Sequence, residues 1–349
     1  MMTAQERYAI EMATGKYEFL QTNPRLGKNL MFLVAGGSYA YGTQRDGVDP
    51  ETGEFRSDID VRGATLQLPS DLIGRTNFEN YVDNQTDTTI YGFNKFIQLA
   101  HDGNPNVLEI LGVRPAERFY VSPVGQEVFD NVDMFLSKHI AVKVNGFATS
   151  QLRRIQSATA RSGDSKTQGE YMLDACNRAI QQFNERYPTL IEDSDMVLSL
   201  ADVNGEYKIV CTGNFWEVPL AEMKGAYDDL MHIFKSFHKL TGDNSKPTDE
   251  KLNKHAYHLV RLLTMGKEIL EEGVIRTYRE KEHDILMEMR DGKYMVDGKF
   301  TKEFYDYIDH LEAEFELARQ RSELPNRPDS KRIDQFVESV NRRVINGEF

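Results

Sequence analysis

An α+β fold is predicted, with strands gathered in the first third of the chain and helices filling the rest, on three observations. "NLMFLVAGG" is an apolar run stopped by glycines, the pattern of a fully buried strand. "SDIDVRGATLQLP" alternates polar with apolar residues, so it reads as a strand with one wet face that Asp58, Asp60 and Arg62 share. Beyond Asp130 the apolar residues recur at helical spacing, near 132–160, 170–186, 220–240, 250–272 and 302–321, with one hairpin predicted near "NGEYKIVCTGNFW".

The remaining elements follow in order. "RDGVDPETGEF", rich in turn residues, reads as an exposed loop between the first two strands. "DTTIYG", from Asp87 to Gly92, is a third short β-branched strand. It runs into "FNKFIQLAHDG", where Phe93, Phe96, Ile97 and Ala100 stand at helical spacing. In "GNPNVLEIL" the Asn104 amide can cap a helix whose first position Pro105 fills, which puts Glu109 on a short helix. The last helix predicted carries Phe304, Ile308, Leu311, Phe315 and Ala318 in one stripe, and the prolines of "SELPNRPD" end it. A length of 349 residues suits two compact parts, here residues 1–135 and 136–349.

Bulk properties narrow the function. The opening "MMTAQERYAIEMATGKYEF" lacks the unbroken apolar core of a secretion signal, and no run approaches the length needed to span a bilayer, so a soluble cytoplasmic protein without a membrane partner is expected. Cys176 and Cys211 are the only cysteines and lie far apart, giving neither a disulfide framework nor a thiolate metal site. A formal net charge of −13 opposes tight non-specific binding to nucleic acid. Locally, "VKVNGFATSQLRRIQSATARSGDSK" sets Lys143, Arg153, Arg154, Arg161 and Lys166 against the single acid Asp164; it reads either as a solvated helix face or as a track for a phosphate backbone.

The chemistry concentrates between Gly36 and Gly63. Glycines after a strand let the backbone turn sharply, and a helix starting at Ser38 would aim unsatisfied N–H groups at a phosphate. "GGSYAYG" has no lysine of the Walker kind, and the dinucleotide glycine fingerprint is absent. Two aspartates on one strand face concentrate negative charge, which a bridging cation relieves, and hard oxygen donors favour Mg²⁺ or Mn²⁺. Phosphate beside a carboxylate-held metal is the arrangement that positions a nucleoside triphosphate for in-line displacement.

The run from Gly37-Ser38 through Ala40-Tyr41-Gly42 to Ser57-Asp58-Ile59-Asp60-Val61-Arg62-Gly63 resembles the signature of the DNA polymerase β-type nucleotidyltransferase superfamily. More narrowly, "DTTIYGFNKFIQLAHDGNPNVLEIL", "NKHAYHLVRLL" and "SELPNRPD" resemble the predicted nucleotidyltransferases associated with bacterial RNA repair, which also occur in phages. The resemblance spans roughly residues 30–330, and the "RDGVDPETGEF" insertion departs from it. It implies a mixed sheet with helices packed on it, and Mg²⁺-dependent transfer of a nucleoside monophosphate from an NTP to a hydroxyl. Carried over, Gly37 and Ser38 would hold the triphosphate and Asp58 and Asp60 the metals. A third carboxylate is expected, first Asp87 and next Glu109, which would otherwise orient a neighbouring base.

In "KLNKHAYHLVRLLTMG" the residues Leu252, Ala256, Leu259 and Leu263 form one helical stripe, with Lys254, His258 and Arg261 opposite and His255 at the flank. The opposite side faces either solvent or a cleft, where its cations would neutralise triphosphate charge. His255 and His258 lack the further ligands of a metal site. Arg62 either contacts a phosphate or holds Asp58 and Asp60 in place. The acceptor is read as an RNA end, a small hydroxylated molecule or a protein side chain. The alternative class is a non-catalytic nucleotide-binding or regulatory protein retaining the fold. Phosphohydrolysis is disfavoured, because His283-Asp284 has no partner histidines at recognisable positions.

Overall fold

The computed structural model describes residues 2–161, 170, 173, 177, 180, 181, 183–186, 197–204, 206–212, 224–231 and 248–349. The chain forms two compact units, one of residues 1–149, 257–291 and 303–349, the other of residues 150–256 and 292–302.

The first unit is built on a five-stranded sheet. Helix α1 (Ala4–Ala13) and the short α2 (Phe19–Thr22) precede β1 (Leu30–Ala35), after which come α3 (Gly37–Tyr41), β2 (Val61–Thr65), α4 (Pro69–Ile73), β3 (Asn80–Asp83) and β4 (Thr88–Gly92). Helices α5 (Phe93–His101) and α6 (Pro105–Leu111), strand β5 (Arg118–Val121) and α7 (Pro123–Asp130) follow. The strand order is β3-β4-β2-β1-β5, with β2 and β4 parallel and every other pair antiparallel, so the sheet is mixed as expected.

Strand β1 lies between β2 and β5, and all six of its residues are buried, which explains its unbroken apolar sequence. Leu30 and Leu33 join Tyr17, Leu20, Leu26, Val61 and Ile90 in one core cluster. Phe32 meets Phe96 of α5 edge-on at 5.3 Å between ring centroids and Phe129 of α7 at 5.0 Å. As the sequence predicts, Asn104 caps α6, its side chain accepting from Asn106 N at 3.0 Å, with Pro105 first in the helix.

Some elements differ from expectation. The alternating segment enters the ladder only at Val61; residues 58–60 lie outside the strand. Helix α3 starts at Gly37, one residue before the expected Ser38. The helix expected over 132–160 is a 3₁₀ turn, Val132–Phe135, followed by α8 (His139–Arg161), because Leu136 is extended. Helix α9 (Asp249–Glu272) is followed by α10 (His283–Arg290) and α11 (Lys302–Arg321), whose predicted stripe is buried throughout. Helix α11 is not the last. Past the proline segment, Asp329 accepts from Arg332 N and opens α12 (Ser330–Asn346), which buries Ile333, Val340 and Val344 and sets Asn341 against Asn94 of α5 at 2.9 Å.

In the second unit the predicted hairpin is present as β6 (Val197–Val203) and β7 (Glu206–Thr212), with Asn204 left-handed in the turn. A two-residue hairpin pairs β8 (Met295–Val296) with β9 (Lys299–Phe300) through Asp297 and Gly298, both at positive φ. Cys176, Asp164 and Lys166, and most of the helices expected near 170–186 and 220–240, lie outside the described residues. Among the described residues no helix is long and apolar enough to cross a membrane.

Truncating Phe32 to Ala removes a ring packed against two others at the centre of the sheet. A loss of about 3–5 kcal/mol is expected, read as a lower midpoint with unchanged slope in urea unfolding.

Candidate functional site

The site grows from the end of β1. Gly36 N–H donates to Asp60 O at 2.8 Å, which carries the β1–β2 pairing one residue past the ladder. The chain then turns into α3 at Gly37, whose φ of +52° a side chain would disfavour. A Cβ at Gly37 would fall inside the van der Waals shell of Asp60 Oδ2, so the carboxylate occupies the space a larger residue would take. Turn and carboxylate are thus in contact.

Exposure alternates through the approach to β2: Ser57, Ile59 and Val61 are buried, Asp58 is exposed and Asp60 partly so. Arg62, next on the outward side, connects two strands. Its Nη2 lies 3.1 Å from Asp87 Oδ1 and 4.0 Å from Asp60 Oδ1, and its Nη1 also donates to the Asp87 carbonyl. The parallel register explains the reach: Val61 pairs with Thr88, so Asp60 and Asp87 stand side by side at the starts of β2 and β4. Asp87 itself is left-handed, at φ 43°, and well exposed.

The "RDGVDPETGEF" insertion is a small closed hairpin rather than a loose loop. Val48 bridges Phe55, Arg56 N donates to Gly47 O, and Arg45 N donates to Ser57 Oγ at 2.7 Å. Arg7 of α1 stacks on the Phe55 ring at 3.6 Å.

Glu109 and Arg261 are brought to each other. Arg261 Nη2 lies 2.8 Å from Glu109 Oε1, and the guanidinium sits 3.8 Å over the Tyr41 ring. Only 7% of the Arg261 side chain is exposed. Burial pulls its pKa down, but Glu109 first and then Tyr41 and Tyr257 more than offset this, and the guanidinium is held charged. The sequence pattern set Arg261 on a face open to solvent or a cleft; instead α9 is buried there as well. His258 is half-buried with its ring against Tyr257. Lys254, in the second unit, is exposed. His255 pairs with Gln151 at 2.8 Å, and burial, with Arg154 and Lys254, lowers its pKa. Arg153 and Arg154 of the basic segment are exposed.

Among the described residues no three His, Cys, Asp or Glu side chains converge as a ready metal cluster. The donor chemistry at the turn nonetheless suits a hard divalent cation: Asp58, Asp60 and Asp87 offer only carboxylate oxygens, and Asp60 is held by its fit against Gly37. Arg62 already supplies positive charge between Asp60 and Asp87, and a metal ion would compete with it for the same oxygens. A cavity of about 530 Å³ opens elsewhere, between Leu111–Pro115 and Glu268–Glu282, and none of these aspartates lines it.

The N-terminal region thus joins a mixed sheet to a glycine turn held against the aspartate that leads into β2. Residues 12–172 match the family model described as the RNA repair pathway DNA polymerase β family. No curated protein and no solved structure matches the chain.

Replacing Gly37 by Ala sets a side chain at positive φ against the Asp60 carboxylate. The variant should lose about 1–3 kcal/mol in urea unfolding, and a crystal structure should show Asp60 displaced.

Proposed function

We propose that the protein is a divalent-metal-dependent nucleotidyltransferase that moves a nucleoside monophosphate from an NTP to an acceptor hydroxyl, with an RNA end as the acceptor. The observation that carries this reading is the contact of Asp60 with Gly37, which joins a turn suited to phosphate to a carboxylate suited to metal. The acceptor oxygen attacks the α-phosphorus as the bond to the β-phosphate breaks, and pyrophosphate leaves. Asp58, Asp60 and Asp87 are the residues proposed to hold Mg²⁺ or Mn²⁺. When bound, the ion supplies Lewis acidity toward the acceptor hydroxyl and offsets charge on the departing pyrophosphate.

The chain's own residues have distinct tasks. Gly37 and Ser38 open α3, and the first N–H groups of a helix have no acceptor within it, so they are free to meet a triphosphate oxygen. Arg62 screens Asp60 from Asp87 and is the cation proposed to turn to the nucleotide phosphates. His258, in the same unit as the turn, remains a proposed phosphate contact. Arg261 and Glu109 already neutralise each other, which favours Asp87 as the third carboxylate. An RNA acceptor draws on the description of the matched family and on exposed Arg153 and Arg154.

Incubation with NTPs labelled at the α-phosphate, Mg²⁺ and separate pools of RNA, small hydroxylated molecules and protein tests the reaction. Label is expected in RNA, with Asp58→Ala and Asp60→Ala each lowering the rate at least about a hundredfold while thermal unfolding is retained. Label in polypeptide alone would reject the RNA acceptor, and NTP binding without transfer to any pool would support the non-catalytic reading. Independently of turnover, Arg62→Gln should tighten Mn²⁺ binding, measured by electron paramagnetic resonance, roughly three- to tenfold by removing a competing cation.

A further inference from the structure

We propose that Arg261, Glu109 and Tyr41 form a buried clamp that fixes the Gly36-Gly37-Ser38 turn from behind, making them positioning residues for the nucleotide. The nucleotide part of this proposal rests on the function proposed above; the clamp itself does not.

Helix α3 needs such support. It has only five residues and closes few bonds of its own, Ala40 N to Gly36 O at 3.3 Å and Thr43 N to Ser38 O at 2.9 Å among them. So short a helix is unstable alone, and its direction is set by what grips it. At its start it is gripped by Asp60, through the Gly36 N–H and the close approach to Gly37.

Its far end is gripped by residues 257–291. The Arg261 guanidinium lies over the Tyr41 ring and is tied to Glu109. The Tyr41 carbonyl accepts from Arg279 N at 3.0 Å. Tyr278 lies so close to Gly42 that a Cβ there would collide with its ring. The Thr43 hydroxyl meets the Tyr257 hydroxyl at 2.8 Å, and the Thr43 carbonyl accepts from Arg290. Glu109 is anchored in turn, its own carbonyl accepting from the Thr277 hydroxyl at 2.6 Å.

The chemistry favours a rigid device. Burial keeps the Tyr41 phenol protonated far above its usual range, so the ring under the guanidinium stays neutral and electron-rich. A buried arginine bound at once to a carboxylate and a ring has little freedom to swing toward a substrate. Arg261 and residues 257–291 lie beyond the family-matched residues 12–172, so a later stretch of the chain completes the support of the turn.

The test uses the full-length protein with Arg261→Met, Arg261→Lys, Glu109→Gln and Tyr41→Leu. Two readouts are taken: amide hydrogen exchange of residues 36–43 without ligand, and titration with a fluorescent ATP analogue in Mg²⁺, alongside Mn²⁺ affinity. For Arg261→Met and Tyr41→Leu, exchange across 36–43 is expected to rise at least tenfold with β1 still protected. ATP-analogue affinity should fall at least fivefold with Mn²⁺ affinity unchanged, and Arg261→Lys should recover part of both. Unchanged exchange at 36–43 in folded Arg261→Met or Glu109→Gln would overturn the clamp, as would a uniform rise across the sheet in Tyr41→Leu. If the native protein binds no ATP analogue, the proposed function fails, while the exchange measurement still decides whether the clamp exists.

Discussion

The structure depends on the close approach of the Asp60 carboxylate to the backbone at Gly37. Without a side chain at residue 37, the Asp60 carboxylate can lie against the turn, and the Gly36 N–H binds the Asp60 carbonyl. Asp60 is therefore set by backbone geometry as well as by Arg62. From that fixed point the rest follows by register. Arg62 emerges two residues later on the same side, and the parallel pairing of Val61 with Thr88 delivers Asp87 to its guanidinium.

The ion pair behind α3 has a different energetic character. Taking two charges out of water is costly, and a buried pair is often no more stabilising than well-packed apolar residues of similar size. What such a pair supplies is direction: the guanidinium meets a carboxylate and the Tyr41 ring together, which restricts where Tyr41 can lie. An apolar replacement would fill the volume without fixing the angle of a helix only five residues long.

Local patterns made much of this fold legible. β1 is readable because a strand with neighbours on both sides and both faces covered tolerates few polar residues. The start of α6 is readable because an asparagine cap and a first-position proline act within three residues. The Asp58 to Arg62 alternation survives even though the strand itself begins at Val61. Arg261 was misread for a definite reason. Helical spacing identifies the most apolar face of α9, but whether the opposite face is wet depends on segments remote in sequence, and Glu109 lies 152 positions away. Helix α12 is amphipathic, with Ile333, Val337, Val340 and Val344 at helical spacing, but it lies past the prolines of "SELPNRPD", which read as the end of the helical part. The Arg62–Asp87 pair, likewise, depends on strand order, which no local window contains.

On the function proposed above, a chain with formal net charge −13 needs positive charge where phosphate would arrive. Arg62, a quarter exposed, stands at the strand ends beside the turn, within reach of both solvent and the aspartates. Arg261, stacked on Tyr41 at the far end of α3, is buried against Glu109 and contributes shape in place of charge. The two arginines divide the labour by burial: an exposed guanidinium can exchange carboxylate for phosphate at little desolvation cost, whereas a buried one cannot leave its partner without stranding a charge in the interior. Under that proposal, a polyanionic substrate would be tolerable beside the aspartates of the turn only together with divalent cations.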